Sequence, residues 1–248
     1  MANKSSAPGR MTARSVILSL LLGAHPAHAT ASELIRLTAD FSIKESTVRV
    51  ALTRMVSGGD LVRSEGGYRL SDRLLARQRR QDDAINPRLH DWGGDWTTLV
   101  ITSLGVQART RTNVRNTLQY NRFAELREGI WLRPDNLDLE LPTEVTRLGR
   151  VLSARDADPG ALAAQLWDLP GWAREGRRLL SQIGSATDIP GWFTAAAGIV
   201  RHLLTDPVLP AQLLPEHWPG AELRTAYQSF AAELVAHRDD VELMEAVT

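Results

Sequence analysis

At 248 residues and 43% hydrophobic content, the chain has material for one large domain or two to three small ones around a real core. It contains no cysteine, which excludes disulfide scaffolds and thiolate metal sites and fits a cytoplasmic protein; no apolar run approaches the length of a membrane span. The net charge of zero hides an asymmetry, because residues 1–90 carry 14 Lys+Arg against 8 Asp+Glu and residues 91–248 carry 15 against 21. A basic head on an acidic body is the charge distribution expected of a DNA-binding domain joined to an oligomerising or sensing remainder.

Residues 1–11 are small, polar and basic, and a disordered tail is predicted there. Next come Arg14, the apolar run Ser15 to Leu22 and Ala27-His28-Ala29, which together have the parts of a secretory signal. The same stretch reads as a first packing helix, Thr12 to Leu22, ended by Gly23 and Pro26. Cleavage after Ala29 would strip the following helices of the partner that buries their apolar faces, so the packing helix is the reading adopted. A second helix is predicted from about Ser32 to Asp40, with Leu34, Ile35 and Leu37 facing the core.

Phe41-Ser42-Ile43 turns tightly into the helix that organises the chain, Ser42 to Gly59. Ser42 and Glu45 stand at capping-box spacing. Val48, Ala51, Leu52, Met55 and Val56 recur at i, i+3, i+4, i+7 and i+8, one apolar helical face. The opposite face carries Ser46, Val50, Thr53 and Ser57, edged by Arg49 on one side and by Thr47 and Arg54 on the other. Short side chains let a helix sit deep in a major groove while flanking arginines reach guanine or phosphate. Taken alone, the pattern equally suits an amphipathic surface helix. Gly58-Gly59 ends it, and Leu61 to Arg63 and Tyr68 to Leu70 then flank the turn Glu65-Gly66-Gly67 as a β-hairpin. The unit predicted over residues 12–90 is therefore a winged helix-turn-helix. Lys44, Ser46, Thr47, Arg49, Val50, Thr53 and Arg54 are its groove-facing candidates, and Arg63 and Arg69 the cations of its wing.

From Ser71 to Ile85 the charges Arg73, Arg77, Arg79 and Arg80 suggest a solvated linker helix, with phosphate contact as the other reading. Asn86-Pro87 breaks it, and a domain boundary is placed near His90. Residues 91–157 read as β (Thr97 to Ser103), α (Gln107 to Tyr120), β (Phe123 to Leu126), β (Gly129 to Arg133), α (Leu137 to Leu148) and β (Arg150 to Ala154). That order is ferredoxin-like, and the domain is assigned to dimerisation. Residues 158–248 read as four helices, Ala161 to Trp167, Trp172 to Ile183, Trp192 to Leu204 and Ala221 to His237, punctuated by Pro-Gly pairs. The fold class expected is thus α+β and multidomain: winged helix-turn-helix, ferredoxin-like centre, helical C-terminal domain.

Three stretches resemble the PaaX family of transcriptional repressors, which control phenylacetate and related aromatic-acid catabolism. Val48-Arg49-Val50-Ala51-Leu52-Thr53-Arg54-Met55 resembles the family's V-R-x-A-L-x-R-Φ recognition helix. Asp95-Trp96 through Ile101, with Gly129-Ile130-Trp131-Leu132-Arg133-Pro134, resembles its central ferredoxin-like domain. Leu203-Leu204, Asp206-Pro207, Leu209-Pro210, Leu213-Leu214-Pro215 and Trp218-Pro219-Gly220 are similar to its C-terminal signature L-L-x-D-P-x-L-P-x-x-L-L-P-x-x-W-P-G. The wing departs from the family, whose glycine is often followed by consecutive arginines; here the turn reads Glu65-Gly66-Gly67-Tyr68. The resemblance implies a homodimeric repressor on a double-stranded, pseudo-palindromic DNA operator, released by a small-molecule effector such as an aryl-CoA or acyl-CoA thioester.

Around the C-terminal signature, Arg201 and Arg224 are candidates for an effector's anionic groups and Trp218 for stacking on a flat ring. The prolines there also suit turn fixing, with Trp218 as a core plug. Arg111 and Arg115, with Asn116, form a cationic face on the first helix of the central domain: a solvated face, or a surface for an effector or a second subunit. Enzyme readings find no support. There is no G-x-S-x-G, no glycine-rich phosphate loop and no H-E-x-x-H. No histidine pair stands at i, i+4 to hold a metal, and no cofactor motif is present. The central domain is also similar to small CRISPR-associated endoribonucleases, but Trp96 to Ala108 lacks the acidic residue that their chemistry needs. The reading of another class is a winged-helix protein-interaction scaffold or sensor that does not bind DNA; steep weakening by salt would mark DNA binding.

Overall fold

The computed structural model describes residues 11–103, 105 and 107–246, residues 237–246 by backbone alone. It shows a mixed α/β fold, with helices and two antiparallel sheets. Of the predicted disordered tail, residues 1–10 lie outside the described residues. The chain divides into two units: one is Met1–Gln81 with Ser181–Gly198 and Thr225–Thr248, the other Asp82–Leu180 with Ile199–Arg224.

The first unit is built on its most apolar helix, α1 (Ala13–Gly23), whose Val16, Ile17, Leu20 and Leu21 are buried. Thr12 caps its start, and Gln78 Nε2 donates to the carbonyls of Leu21, Leu22 and Ala24, satisfying acceptors that a helix end leaves open. A two-residue strand unforeseen in the sequence, β1 (His28–Ala29), precedes α2 (Ala31–Ala39). The capping box sits here and not at Ser42. Thr30 Oγ1 accepts from the Glu33 amide at 3.1 Å, and the Glu33 carboxylate accepts from the Thr30 amide. Ser42 adopts φ 54° and donates its amide to Ala39 O at 2.8 Å, so it closes the end of α2. It is thereby unavailable to cap α3 (Glu45–Ser57), whose N-cap residue is Lys44.

Strands β2 (Leu61–Ser64) and β3 (Gly67–Leu70) pair across Glu65-Gly66, and β1 joins β3 to give the order β1-β3-β2. Gly67 is required there, because a Cβ at that position would lie 2.5 Å from Ala29 O. Helix α4 (Asp72–Ile85) is not the solvated linker that its charges suggested: Leu74, Gln78, Gln81, Ala84 and Ile85 are buried. Two distant aromatic residues complete the core, with Phe193 edge-on to Phe41 and to Phe230, both at 5.2 Å.

In the second unit, β4 (Trp96–Ile101), β5 (Ala124–Arg127), β6 (Ile130–Pro134) and β7 (Gly149–Ala154) form an antiparallel sheet of order β5-β6-β4-β7. Alternation along the strands divides the core. Leu99 and Trp131 meet Leu118 of α5 (Ala108–Tyr120) and Val145 of α6 (Thr143–Thr146), while Trp96 and Leu132 meet α7 (Pro159–Leu166) and the short 3-10 turn Ala211–Leu213. The helix expected from Leu137 shrinks to one turn after Pro142, because Leu137 is held in an antiparallel bridge with Leu89.

The C-terminal helices are α8 (Leu169–Gly184), α9 (Ile189–Leu203) and α10 (Gly220–Ala246). The Pro-Gly pairs of α8 and α9 lie inside their first turns, where proline's missing N–H is no loss. Asp168 and Asp188 accept the Gly171 and Gly191 amides at 2.9 and 2.7 Å. Helix α10 runs past His237, since residues 238–246 contain neither glycine nor proline to stop it.

Candidate nucleic-acid interface

Helix α3 buries Val48, Leu52 and Met55 against α1 and α2, and this anchoring turns its other face outward. Lys44, Ser46, Thr47, Arg49, Val50, Thr53 and Arg54 are all exposed, so the helix presents the predicted residues together on one side. Val50, at 51% exposure, is the apolar centre of that face. A methyl-bearing side chain there suits contact with a thymine methyl group, and the neighbouring hydroxyls suit phosphate or base edges. Thr53 Oγ1 and Ser57 Oγ donate to the carbonyls one turn back, Arg49 O and Thr53 O, both at 3.0 Å, which fixes their rotamers. Arg49 is bound to Glu45, with Nη2 2.7 Å from Oε1, while both side chains stay more than half exposed.

Behind this face lies a feature that the sequence reading missed. Asp60, 6% exposed, sits between α3 and β2; its amide donates to Met55 O and its carbonyl accepts from Ser71 N. Arg14 Nη2 reaches its carboxylate at 2.7 Å and Arg73 Nη2 at 2.6 Å. A buried carboxylate held by two arginines is fully compensated and joins α1, α3, the wing and α4. An aspartate directly after Gly58-Gly59 was the only local signal. Arg73, itself exposed like Arg77, Arg79 and Arg80 along α4, therefore serves this clamp.

The two arginines of the β2–β3 hairpin lie on different faces of it. Arg63 pairs across the hairpin with Tyr68, on the face shared with the buried Leu61 and Leu70, whereas Arg69 pairs with Val62 on the other face. Both arginines are exposed, and Arg69 lies 3.8 Å from Asp72.

A family model described as "PaaX-like protein" matches residues 12–74, from α1 through the β2–β3 hairpin into the start of α4, and one described as "PaaX-like protein C-terminal domain" matches residues 193–241. The chain belongs to the PaaX family. Among solved structures it is similar to the uncharacterized protein Rv0674 from Mycobacterium tuberculosis, with 63% identity and a TM-score of 0.83 over 93% of this chain and 99% of that one. No curated protein matches. PaaX family members are in general regulators of phenylacetate catabolism rather than enzymes. Among the described residues, no helix is long and apolar enough to cross a membrane.

In the PaaX C-terminal region the predicted effector residues have different surroundings. Arg224 Nη2 is 2.7 Å from Asp206 Oδ2, and its Nε donates to Ala84 O at 3.2 Å. Asp206 Oδ1 accepts from the Val208 amide, the Val208 carbonyl accepts from Asn136 Nδ2, and Asn136 Oδ1 accepts from Arg133. Asp206-Pro207 is thus tied into the second unit from both sides. Trp218 stacks on Trp172 at 4.3 Å, and His202 stacks on the other face of Trp172 at 4.1 Å. Burial lowers the His202 pKa from its ordinary value and so favours the neutral ring. Arg201 is exposed on the last turn of α9. Trp218 and Arg224 meet across Gly220, but each already has protein partners, which favours a structural part for the run.

Proposed function

We propose that this protein is a sequence-specific DNA-binding transcriptional regulator, a repressor of an aromatic- or acyl-acid catabolic operon, acting in the cytoplasm as a homodimer. The observation that carries the reading is the outward face of α3: short polar side chains around Val50, edged by Arg49 and Arg54, on a helix whose other face is fully engaged. The element order α1-β1-α2-α3-β2-β3 supports a winged helix-turn-helix, with α3 as recognition helix in the major groove. The sheet order β5-β6-β4-β7 supports a ferredoxin-like fold for the second unit, the part we assign to dimerisation. A dimer places two recognition helices on half-sites about one helical turn apart, so the operator is pseudo-palindromic. Repression is relieved by a small-molecule effector, such as an aryl-CoA or acyl-CoA thioester, that binds the DNA-free state better than the bound one.

Footprinting on the DNA upstream of the protein's own gene, with and without acyl-CoA esters, tests this directly. The expected result is a protected palindrome whose protection weakens steeply with salt, as phosphate neutralisation requires, and is lost with the effector. Absence of protection at low salt would remove the reading.

A further inference from the structure

Among the described residues, the second unit holds three guanidinium groups largely out of water against two carboxylates, Asp206 and Glu125, the latter with its side chain 20% exposed. Arg133 is 1% exposed, Arg122 is 9% exposed and the Arg224 side chain 17%, while Asp206 is 1% exposed. Arg224 takes Asp206. Arg133 is sealed and met by neutral acceptors, Pro134 O at 2.9 Å, Asn121 O at 3.2 Å and Asn136 Oδ1 at 2.7 Å; burial and then the nearby Arg122 bring its pKa down to about 9. That leaves Arg122, held by φ 65° at the end of α5, which donates to the Leu204 carbonyl. Burial lowers its pKa as well. A guanidinium withdrawn from water without a carboxylate partner is costly, and a bound anion would offset that cost through charge-assisted hydrogen bonds.

Arg122, unlike Arg133, borders open space. It lines a cleft of about 410 Å³ between α5, the β5–β6 hairpin, the end of α7 and the segment Leu204 to Pro207. That volume is in the range of small-molecule sites. Arg115, the second cation there, lies 5.5 Å over the Trp131 ring and 2.6 Å from Glu125. The two carboxylates on the cleft are each ion-paired to an arginine, Glu125 to Arg115 and Asp206 to Arg224 behind the lining, so that with Arg122 three guanidinium groups stand against two carboxylates and Arg122 feels Asp206 only as a neighbouring charge. Leu166, Trp167 and Leu204, all half-buried, give it an apolar wall. A second cleft beside Arg122, of about 270 Å³, is lined by Asp83, Asp138 and Glu140 against Arg88 and Arg122, and is the less favourable of the two for an anion.

We propose that the cleft at Arg122 binds a small amphipathic organic anion, its carboxylate or phosphate at Arg122 and its apolar or aryl body against Trp167 and Leu166. As a binding site it stands apart from the regulator reading; only its use as an effector site rests on that reading.

The test is calorimetry and tryptophan fluorescence on the full chain with 1-naphthylacetate, 1-naphthyl phosphate, the neutral 1-naphthylacetamide and inorganic phosphate. At least one naphthyl anion is expected to bind and to change the tryptophan signal, and the better of the two identifies the head group. The amide is expected to bind about tenfold more weakly or worse, as loss of a charge-assisted bond requires, and inorganic phosphate, lacking the body, more weakly still. Arg122→Gln should abolish binding. Because that residue is buried, Gln119→Glu at the exposed rim of the cleft provides a variant that leaves thermal unfolding unchanged, and it should weaken the anions about tenfold without affecting the amide. Failure of both naphthyl anions to bind, equal affinity for acid and amide, or unaltered binding by Gln119→Glu would each overturn the proposal. Operator binding measured without ligand judges the regulator reading separately.

Discussion

Arg49 gives a sharp test of the recognition helix, because the structure already assigns it an intramolecular partner. Its Nη2 and Nε lie 2.7 and 2.8 Å from Glu45 Oε1, with side-chain exposures of 62% and 57%. An exposed i, i+4 pair of this kind contributes about 0.3–0.5 kcal/mol, whereas a bidentate arginine–guanine contact contributes about 1–3 kcal/mol. The base contact outweighs the ion pair, so Glu45 holds Arg49 near its docked position without competing effectively for it. Arg49→Ala should lower operator affinity by about 5- to 150-fold and relax preference at one base pair. Its melting temperature should shift by no more than about 2 °C, since only the exposed pair is lost. Glu45→Ala should do the reverse, strengthening binding by about twofold because the pair no longer has to open. Fluorescence anisotropy with operator and scrambled duplexes, repeated across a salt series, separates the roles: a base contact changes the specificity ratio, a phosphate contact changes the salt slope by about one. If the double variant Arg49→Ala, Arg54→Ala binds every duplex as the parent does, α3 is not a recognition helix.

Asp60→Asn should destabilise the protein by about 1–3 kcal/mol in urea denaturation, since two charge-assisted bonds to Arg14 and Arg73 are weakened at a buried position; no change would show that the clamp is incidental. Arg224→Ala should cost about 3–5 kcal/mol by leaving the buried Asp206 uncompensated, while the affinity of the folded fraction for operator and effector is retained. Lost effector response with unchanged stability would instead return the ligand to the C-terminal run. Mass spectrometry of protein made in a secretion-competent host should find the segment Arg14 to Leu22 retained, because Val16, Ile17, Leu20 and Leu21 lie in the core; a mature chain starting near Thr30 would refute this.

What the sequence disclosed follows the range of the interactions involved. The apolar period of α3 and the glycine turn of the wing are local patterns, so their outward residues were legible. The capping spacing of Ser42 and Glu45 misled because the backbone at Ser42 is turned to φ 54° to finish α2, and the box at Thr30 and Glu33 was overlooked. Strand β1 is two residues long and owes its place to the missing side chain of Gly67, some forty positions away. Helix α4 looked solvated because its buried positions include Gln78 and Gln81, polar residues that pass for surface ones. The aromatic cluster of Phe41, Phe193 and Phe230 joins segments separated by most of the chain, and no periodicity encodes such a meeting.

The C-terminal run and the α5 cleft differ in what their arginines are already bound to. The C-terminal run attracted attention because Arg201, Trp218 and Arg224 are residue types that bind flat anions, and composition cannot tell an arginine awaiting a ligand from one already paired. The difference is the identity of its acceptor. Arg224 ends on a carboxylate and Trp218 on another indole, so a ligand there would have to displace protein contacts of equal quality. Arg122 ends on a carbonyl, beside an open cleft, in a region with more buried positive than negative charge. A ligand at Arg122 enters an open cleft and has no ion pair of that arginine to break, and its charge supplies a carboxylate that Arg122 is not bonded to. Binding energy is therefore available at Arg122 and already consumed at Arg224, which is why the effector assay belongs on the α5 cleft first.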